Sequence, residues 1–287
     1  MKLLQPMAPL LKRAREEKYA IPQPDFVNLG MAAAYLEAAA QHRSPVILGF
    51  GEEYVNASEA VDLRHLVQLV DVLSGRYDVP VVLHLDHGSS YEACAKAINA
   101  GFTSVMIDGS ALSFDENVKL TKRVVDLARI SGVSVEGEIG RMKTGKGYDL
   151  AEDTTQVLTD PDVAKAFVHE TGVDALAVSI GTVHGEYRGK PNIQIDLLRE
   201  INETVGIPLV LHGASGIDEG TLKACVREGI TKVNIYTDLA NAINRTIQNQ
   251  YEQSDYVQIP AVLSDVRQVT VDTLGGYIDV LGATNQA

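Results

Sequence analysis

Eight short aliphatic runs, each followed by a longer amphipathic stretch, constrain the fold of this chain more than any other feature. The runs are Tyr19–Ile21, Pro45–Leu48, Pro80–Leu85, Ser104–Ile107, Ser134–Glu138, Ala175–Ser179, Pro208–Leu211 and Lys232–Ile235. Near-continuous Val, Ile and Leu indicate strands buried on both faces, which is the habit of parallel sheets. Successive starts are separated by roughly 30 residues, the length of a βα unit. The stretches between them read as helices: Leu29–Gln41, Ser58–Ser74, Tyr91–Ala100, Phe114–Ser131, Asp160–Thr171, Ile195–Thr204, Asp218–Glu228 and Asp238–Gln250. Gly101, Gly132, Gly172 and Gly229 stand just past four of these, where helices commonly end. The pattern predicts an α/β chain forming a TIM (β/α)8 barrel, with an open doubly wound sheet as the alternative. A single domain over residues 1–287 accommodates it, with an amphipathic leading helix and a packing tail after Tyr251.

Composition narrows the partners. Lys and Arg number 25 against 38 Asp and Glu, a net charge of -13, which disfavours binding to nucleic acid because nothing neutralises phosphates in bulk. No run approaches the roughly 18 apolar residues of a membrane span. The apolar start contains Gln5 and Pro6 and leads into Lys12, Arg13 and Arg15 rather than a cleavage site. Cys94 and Cys225 lie on separate helices without metal-motif spacing, so both are expected to be reduced packing residues of a cytoplasmic protein.

In a parallel barrel the active site collects at the C-terminal strand ends, and here those ends are polar. Strand three closes with Asp86, His87 and Gly88, strand four with Asp108, and strand five carries Glu136 and Glu138. His184 follows strand six, His212 ends strand seven, and strand eight offers Asn234 ahead of Thr237 and Asp238. Four other histidines, His42, His65, His84 and His169, read as structural. His87, His184 and His212 converging on one rim match a three-ligand zinc site with an open position. Asp108 and Glu138 fit outer-shell partners, ligands for a second ion, or acceptors for loop amides. Gly213-Ala214-Ser215-Gly216 has the small residues that let backbone amides approach an anion ahead of a helix N-terminus.

Taken together the motifs resemble the class II, metal-dependent ketose-bisphosphate aldolases, the family of fructose- and tagatose-bisphosphate aldolases. The matching pieces are His84–Gly88, Val135–Gly140, Leu158–Pro161, Gly172–Gly185, Leu211–Gly216 and Lys232–Ile235. The resemblance implies a zinc ion on His87, His184 and His212, with Asp108 and Glu138 at an alternative or second divalent site. It implies Asp86 as proton donor to the aldehyde oxygen. Gly185, Gly213, Ala214, Ser215, Asn234 and Thr237 would surround dihydroxyacetone phosphate, with a monovalent cation nearby. Its members are commonly dimers or tetramers, so a homo-oligomer acting on a small sugar phosphate is expected.

The chain also departs from that family. The loop after strand five, Arg141–Asp149, lacks a clear counterpart of the glutamate that takes the substrate proton, with Asp149, Glu152 and Asp153 as stand-ins. Pro22-Gln23-Pro24-Asp25-Phe26 replaces an Ala-Phe-Asn segment, Gly49–Glu53 replaces a serine-bearing loop, Tyr236 stands where a smaller or acidic residue is common, and the end of the chain offers Arg267 as its distal basic residue. These changes fall on the distal half of the pocket. A catalytically weakened relative that binds metal and sugar phosphate is one alternative, and a metal-dependent hydrolase on the same barrel is another.

Overall fold

The computed structural model describes residues 4–53, 62–144, 157–187, 189–253 and 257–287. Its elements run α1 Met7–Glu17, β1 Ile21–Pro24, α2 Leu29–Gln41, β2 Val46–Gly51, α3 Leu63–Ser74, β3 Val81–Gly88, α4 Tyr91–Ala100, β4 Ser104–Ile107, α5 Phe114–Ser131 and β5 Ser134–Ile139. There follow β6 Lys143–Thr144, α6 Pro161–Thr171, β7 Ala175–Val178, β8 Val183–His184, α7 Ile195–Val205, β9 Leu209–Leu211, α8 Glu219–Arg227, β10 Ile230–Ile235, α9 Thr237–Gln253 and α10 Ile259–Val280.

Local chemistry sets these bounds. Ser90, Asp160 and Asp218 each accept a backbone N–H in the first turn of the helix they precede, and Gly101 and Gly172 end α4 and α6 in the left-handed region. Parallel ladders join β2, β3, β4, β5, β7, β9, β10 and β1 in that order, giving the barrel the sequence predicts. Between β1 and β2 the ring closes through one parallel bridge, Asp25 to Gly49, with Phe26 N–H donating to the Gly49 carbonyl at 3.0 Å. That seam is thin for a covalent reason. Alternate residues of a strand address opposite neighbours, Phe26 addresses β2, and Pro22 and Pro24 share its side without an N–H to give.

Several strand bounds differ from expectation: β3 runs on to Gly88 rather than ending at Leu85, β10 begins at Ile230 rather than Lys232, and the first two strands differ for identifiable reasons. The first begins at Ile21 rather than Tyr19, because Lys18 in the left-handed region (φ 59°) ends α1 and the buried Tyr19 only bridges to the strand. The second runs on to Gly51 instead of stopping at Leu48, pairing with β3 as far as Asp86. Gly49 is there for room: a Cβ would lie 1.9 Å from Asp25 Oδ1 and 2.6 Å from Gln23 Nε2.

α1 packs at the starts of the strands, burying Met7, Leu11 and Ala14, with Ala8 N–H donating to Ser134 Oγ at 2.9 Å. The described residues from Ile259 onward are more ordered than their weak periodicity suggests. They form the 22-residue helix α10, whose Gly275 lies so close to His42, the residue that caps α2, that a Cβ would sit 2.6 Å from the ring. The tail also reaches the strand ends, where Tyr277 Oη donates to Asp238 Oδ2 at 2.5 Å. Arg267 pairs instead with Glu37 of α2. No helix among the described residues is long and apolar enough to cross a membrane.

Candidate active site

Adjacent residues of a strand point to opposite faces, yet both Asp86 and His87 reach the barrel mouth. The backbone explains it. The β3–β4 register slips between Leu85 and Gly88, and His87 takes φ 48°, an uncommon conformation for a side chain of this size. Asp86 keeps the inward face while the bulge turns His87 onto the same rim.

There His87, His184 and His212 meet. One ring nitrogen from each lies within 4.8 Å of the others, and the ring centroids are separated by 4.9, 4.9 and 5.8 Å. Second contacts fix how two of the rings are used. His87 Nδ1 is 3.1 Å from Asp108 Oδ2, and His212 Nε2 is 2.8 Å from Glu136 Oε1. Each of those nitrogens faces a carboxylate acceptor, which favours a ring proton there and leaves His87 Nε2 and His212 Nδ1 facing one another at 3.2 Å. A contact between two ring nitrogens at that separation is satisfied by a proton between them, which the raised His87 pKa favours, or by a metal cation in its place. An outer carboxylate behind each imidazole is the support that metal-ligating histidines ordinarily have. The donor set therefore fits a divalent ion that accepts nitrogen ligands, zinc among them.

A second group, His87, Asp108 and Glu138, also brings its ligand atoms within 4.8 Å. Asp108 is anchored by Ser110, whose N–H and Oγ donate to its Oδ1 at 3.0 and 2.7 Å. Glu138 is 2 % exposed and its Oε2 has no hydrogen-bond partner. Burial, with Asp108 nearby, pushes the Glu138 carboxyl well above its usual range. Its unpartnered buried oxygen suits a cation arriving from outside.

Charge in the site divides sharply. Burial opposes ionisation of Asp86, but His87, His212 and Lys232 outweigh it and hold the carboxyl well below the usual range. For His87, burial is likewise outweighed by Asp86 and Asp108, which raise its pKa. Burial and the two neighbouring imidazoles press His184 down to about 3. Asn234 Nδ2 donates to Asp86 Oδ1 at 3.1 Å and so braces the carboxylate beside the histidines.

The predicted anion loop lies around the adjoining strand ends. Gly213 bends the chain at φ 67°, and its carbonyl accepts Tyr187 Oη at 2.9 Å. Ala214 is buried and donates its N–H to the Asn234 carbonyl at 3.4 Å, while Ser215 Oγ accepts from Asp238 N–H at 3.1 Å. Thr237 opens α9 and Gly185 follows β8 at φ 85°. Asp238 Oδ2 accepts the Gly216 N–H at 3.0 Å, joining this loop to α9. The backbone of β6 pairs with β8, so Lys143 and Thr144 run beside Val183 and His184. Asp149, Glu152 and Asp153 lie outside the described residues.

Three buried groups belong to this assembly beyond the residues given a role from sequence, Glu136 having been named only among the polar strand-end residues. Glu136 and Lys232 form a 2.7 Å ion pair behind His212. His84, read as an ordinary structural histidine, is fully buried with Nδ1 2.7 Å from Ser104 Oγ and Nε2 3.7 Å from Glu136 Oε2. The signal for Lys232 was in the sequence, since a lysine inside a strand buried on both faces needs a carboxylate close by. His42 and His65 lie beside Asp279 and Asp62. Cys94 and Cys225 are buried free thiols, each pushed up to about 12 by burial.

A parallel barrel that gathers imidazoles and carboxylates on its C-terminal rim is the framework of a metal-dependent barrel enzyme. The family profile described as fructose-bisphosphate aldolase class-II matches residues 5–286. A Bacillus subtilis relative named "Probable fructose-bisphosphate aldolase" is 39% identical over 293 residues, covering 98% of each chain. A Staphylococcus aureus fructose-bisphosphate aldolase is 37% identical over 284 residues, again at 98% of each. The crystal structure of the YdjI aldolase from Escherichia coli K12 superposes with a TM-score of 0.87 at 32% identity, covering 99% of both chains. The chain belongs to the class II fructose-bisphosphate aldolase family. Its activity class is accordingly that of an aldehyde-lyase.

Proposed function

We propose that the chain catalyses reversible aldol cleavage of a phosphorylated ketose, of the fructose- or tagatose-bisphosphate kind, giving dihydroxyacetone phosphate and an aldehyde. Convergence of His87, His184 and His212 beside Asp86, whose Oδ2 lies 3.8 Å from His87 Nε2, is the observation that carries this reading. His87, His184 and His212 would hold a zinc ion, with Asp108 and Glu138 offering a second or alternative divalent position. When bound, zinc would supply Lewis-acid stabilisation of the negative charge that develops on the ketone and adjacent hydroxyl oxygens.

The remaining work falls to side chains. In the cleavage direction the Asp86 carboxylate takes the hydroxyl proton as the carbon–carbon bond breaks, and in condensation it returns that proton to the aldehyde oxygen. Asn234 holds Asp86 in place through the 3.1 Å hydrogen bond. Gly185, Gly213, Ala214, Ser215, Asn234 and Thr237 would surround the dihydroxyacetone phosphate half, where small residues and the start of α9 favour an anion, with a monovalent cation nearby as the family resemblance implies. A homo-oligomeric, cytoplasmic enzyme is the form we assign to it.

The test is a cleavage assay on chelator-stripped protein with zinc restored, run on a panel of ketose phosphates in oxygen-18 water. Zinc-dependent appearance of dihydroxyacetone phosphate together with an aldehyde, with oxygen-18 confined to the carbonyl positions that exchange with water, supports the proposal. Oxygen-18 in released phosphate or in a hydroxyl group would instead identify a hydrolase, and zinc binding with no turnover on any ketose would identify a binding protein.

A further inference from the structure

Beneath the three imidazoles lies a layer of charge that the aldol chemistry does not use. Glu136 and Lys232 are both 0 % exposed, and Glu136 divides its two oxygens between Lys232 Nζ at 2.7 Å and His212 Nε2 at 2.8 Å. A buried ion pair is a poor device for stability alone, since apolar residues of similar volume often do as well or better. Its geometry points elsewhere.

We propose that Lys232 and Glu136 act together as positioning residues that fix the ring tautomer of His212, and through it the nitrogen offered to the metal. The inference rests on the zinc reading above. An ammonium has only donors, so whatever atom faces Lys232 must be an acceptor. A carboxylate satisfies it and still presents an acceptor to His212. That acceptor keeps the ring proton on Nε2 and leaves the Nδ1 lone pair facing His87 Nε2, 3.2 Å away.

An amide in the same place cannot serve both sides. In Glu136→Gln, Lys232 claims the amide oxygen and the NH2 group is left against His212 Nε2. The ring proton must then move to Nδ1, which blocks the lone pair aimed at the metal. Removing Lys232 as well frees the amide to turn and present its oxygen to His212. The second substitution should therefore rescue the first, an outcome that simple loss of a buried charge pair would not give.

Glu136→Gln, Lys232→Met and the double variant would be stripped and titrated with Zn2+ against a chromophoric chelator, beside the wild-type protein. Glu136→Gln should bind zinc roughly 10–100-fold more weakly than wild type, the scale for loss of an outer-shell partner. The double variant should regain most of that affinity. Wild-type affinity in Glu136→Gln, or equal weakening in the single and double variants, overturns the inference. Should the variants fail to fold, the nitrogen-15 spectrum of the histidine-labelled wild-type protein decides. A proton on His212 Nε2 in the zinc-loaded and metal-free forms upholds the tautomer assignment, and a proton on Nδ1 overturns it. Absence of zinc binding by the wild type would refute the zinc reading itself, while the metal-free spectrum still judges the tautomer.

Discussion

Replacing Gly213 with alanine should separate two of the proposed ligands by pushing on backbone alone. A Cβ at Gly213 would lie 2.1 Å from the Val183 carbonyl oxygen and 2.7 Å from its carbon, and these atoms cannot swing aside as a side-chain tip can. Reaching an ordinary contact requires the two segments to part by on the order of 1 Å, because carbon and oxygen pack at about 3 Å or more. His212 precedes Gly213 and His184 follows Val183, so the movement falls between two of the proposed zinc ligands. Metal sites tolerate ligand displacements of about 0.2 Å. Gly213 also sits at φ 67°, which costs a non-glycine residue roughly 1 kcal/mol. Overpacking adds about 1–3 kcal/mol, giving about 2–4 kcal/mol in all. Gly132→Ala is the matched control, since Gly132 has φ 66° and nothing within 4 Å of the added Cβ, so it should lose only about 1 kcal/mol. Denaturant unfolding in chelator measures both variants, and a zinc titration measures the site. Equal destabilisation of the two, with zinc affinity intact in Gly213→Ala, would refute the argument that close packing of the His212 and His184 segments builds the centre.

Other outcomes follow from the same geometry. Asp86→Ala should keep its zinc and lose cleavage by about 100–10,000-fold, the usual worth of a positioned acid or base, as read by metal analysis beside a rate assay. His212→Ala should release the ion, and full zinc occupancy after dialysis would count against the ligand set. His84 gives an acid signature. Burial holds its folded-state pKa near 3, below the unfolded value, so the unfolded chain takes up the proton first and stability falls as pH drops below that unfolded value toward 3. Between pH 7 and 5 this one residue should cost roughly 2 kcal/mol. His84→Gln should flatten that part of the unfolding-against-pH curve in chelator, and an unchanged slope would show that His84 is not held neutral.

Some of this architecture can be read directly from residue order, because its cause is local. An aliphatic run that ends in Asp86-His87-Gly88 has nowhere to put those groups except a strand end, and the recurrence of such endings predicts both the barrel and the rim. Other parts depend on contacts between distant segments. The seam between β1 and β2 depends on which neighbour Pro22 and Pro24 address, and that is decided only when Phe26 meets Gly49. Gly49 itself reads as a strand terminus until Asp25 and Gln23 are seen to occupy the space of its Cβ. The left-handed turn at His87 has no residue-type signature, since glycine would be the expected sign of it. α10 was obscured by Gly275, whose use is close approach to His42 across 233 residues of sequence, from 275 back to 42. Glu136 and Lys232 each look like an exception in a buried strand, and they make sense only as a pair.

The measurement that tests the central claim most directly is exchange of the pro-chiral hydrogen of dihydroxyacetone phosphate with deuterated water, followed by NMR on zinc-loaded and chelator-stripped protein. It isolates the enediolate half of the reaction and needs no knowledge of the aldehyde. The expected result is stereospecific exchange that requires the metal and disappears in His212→Ala. Zinc bound at His87, His184 and His212 with no exchange would contradict the account, showing a site that holds the ion without activating this ketone.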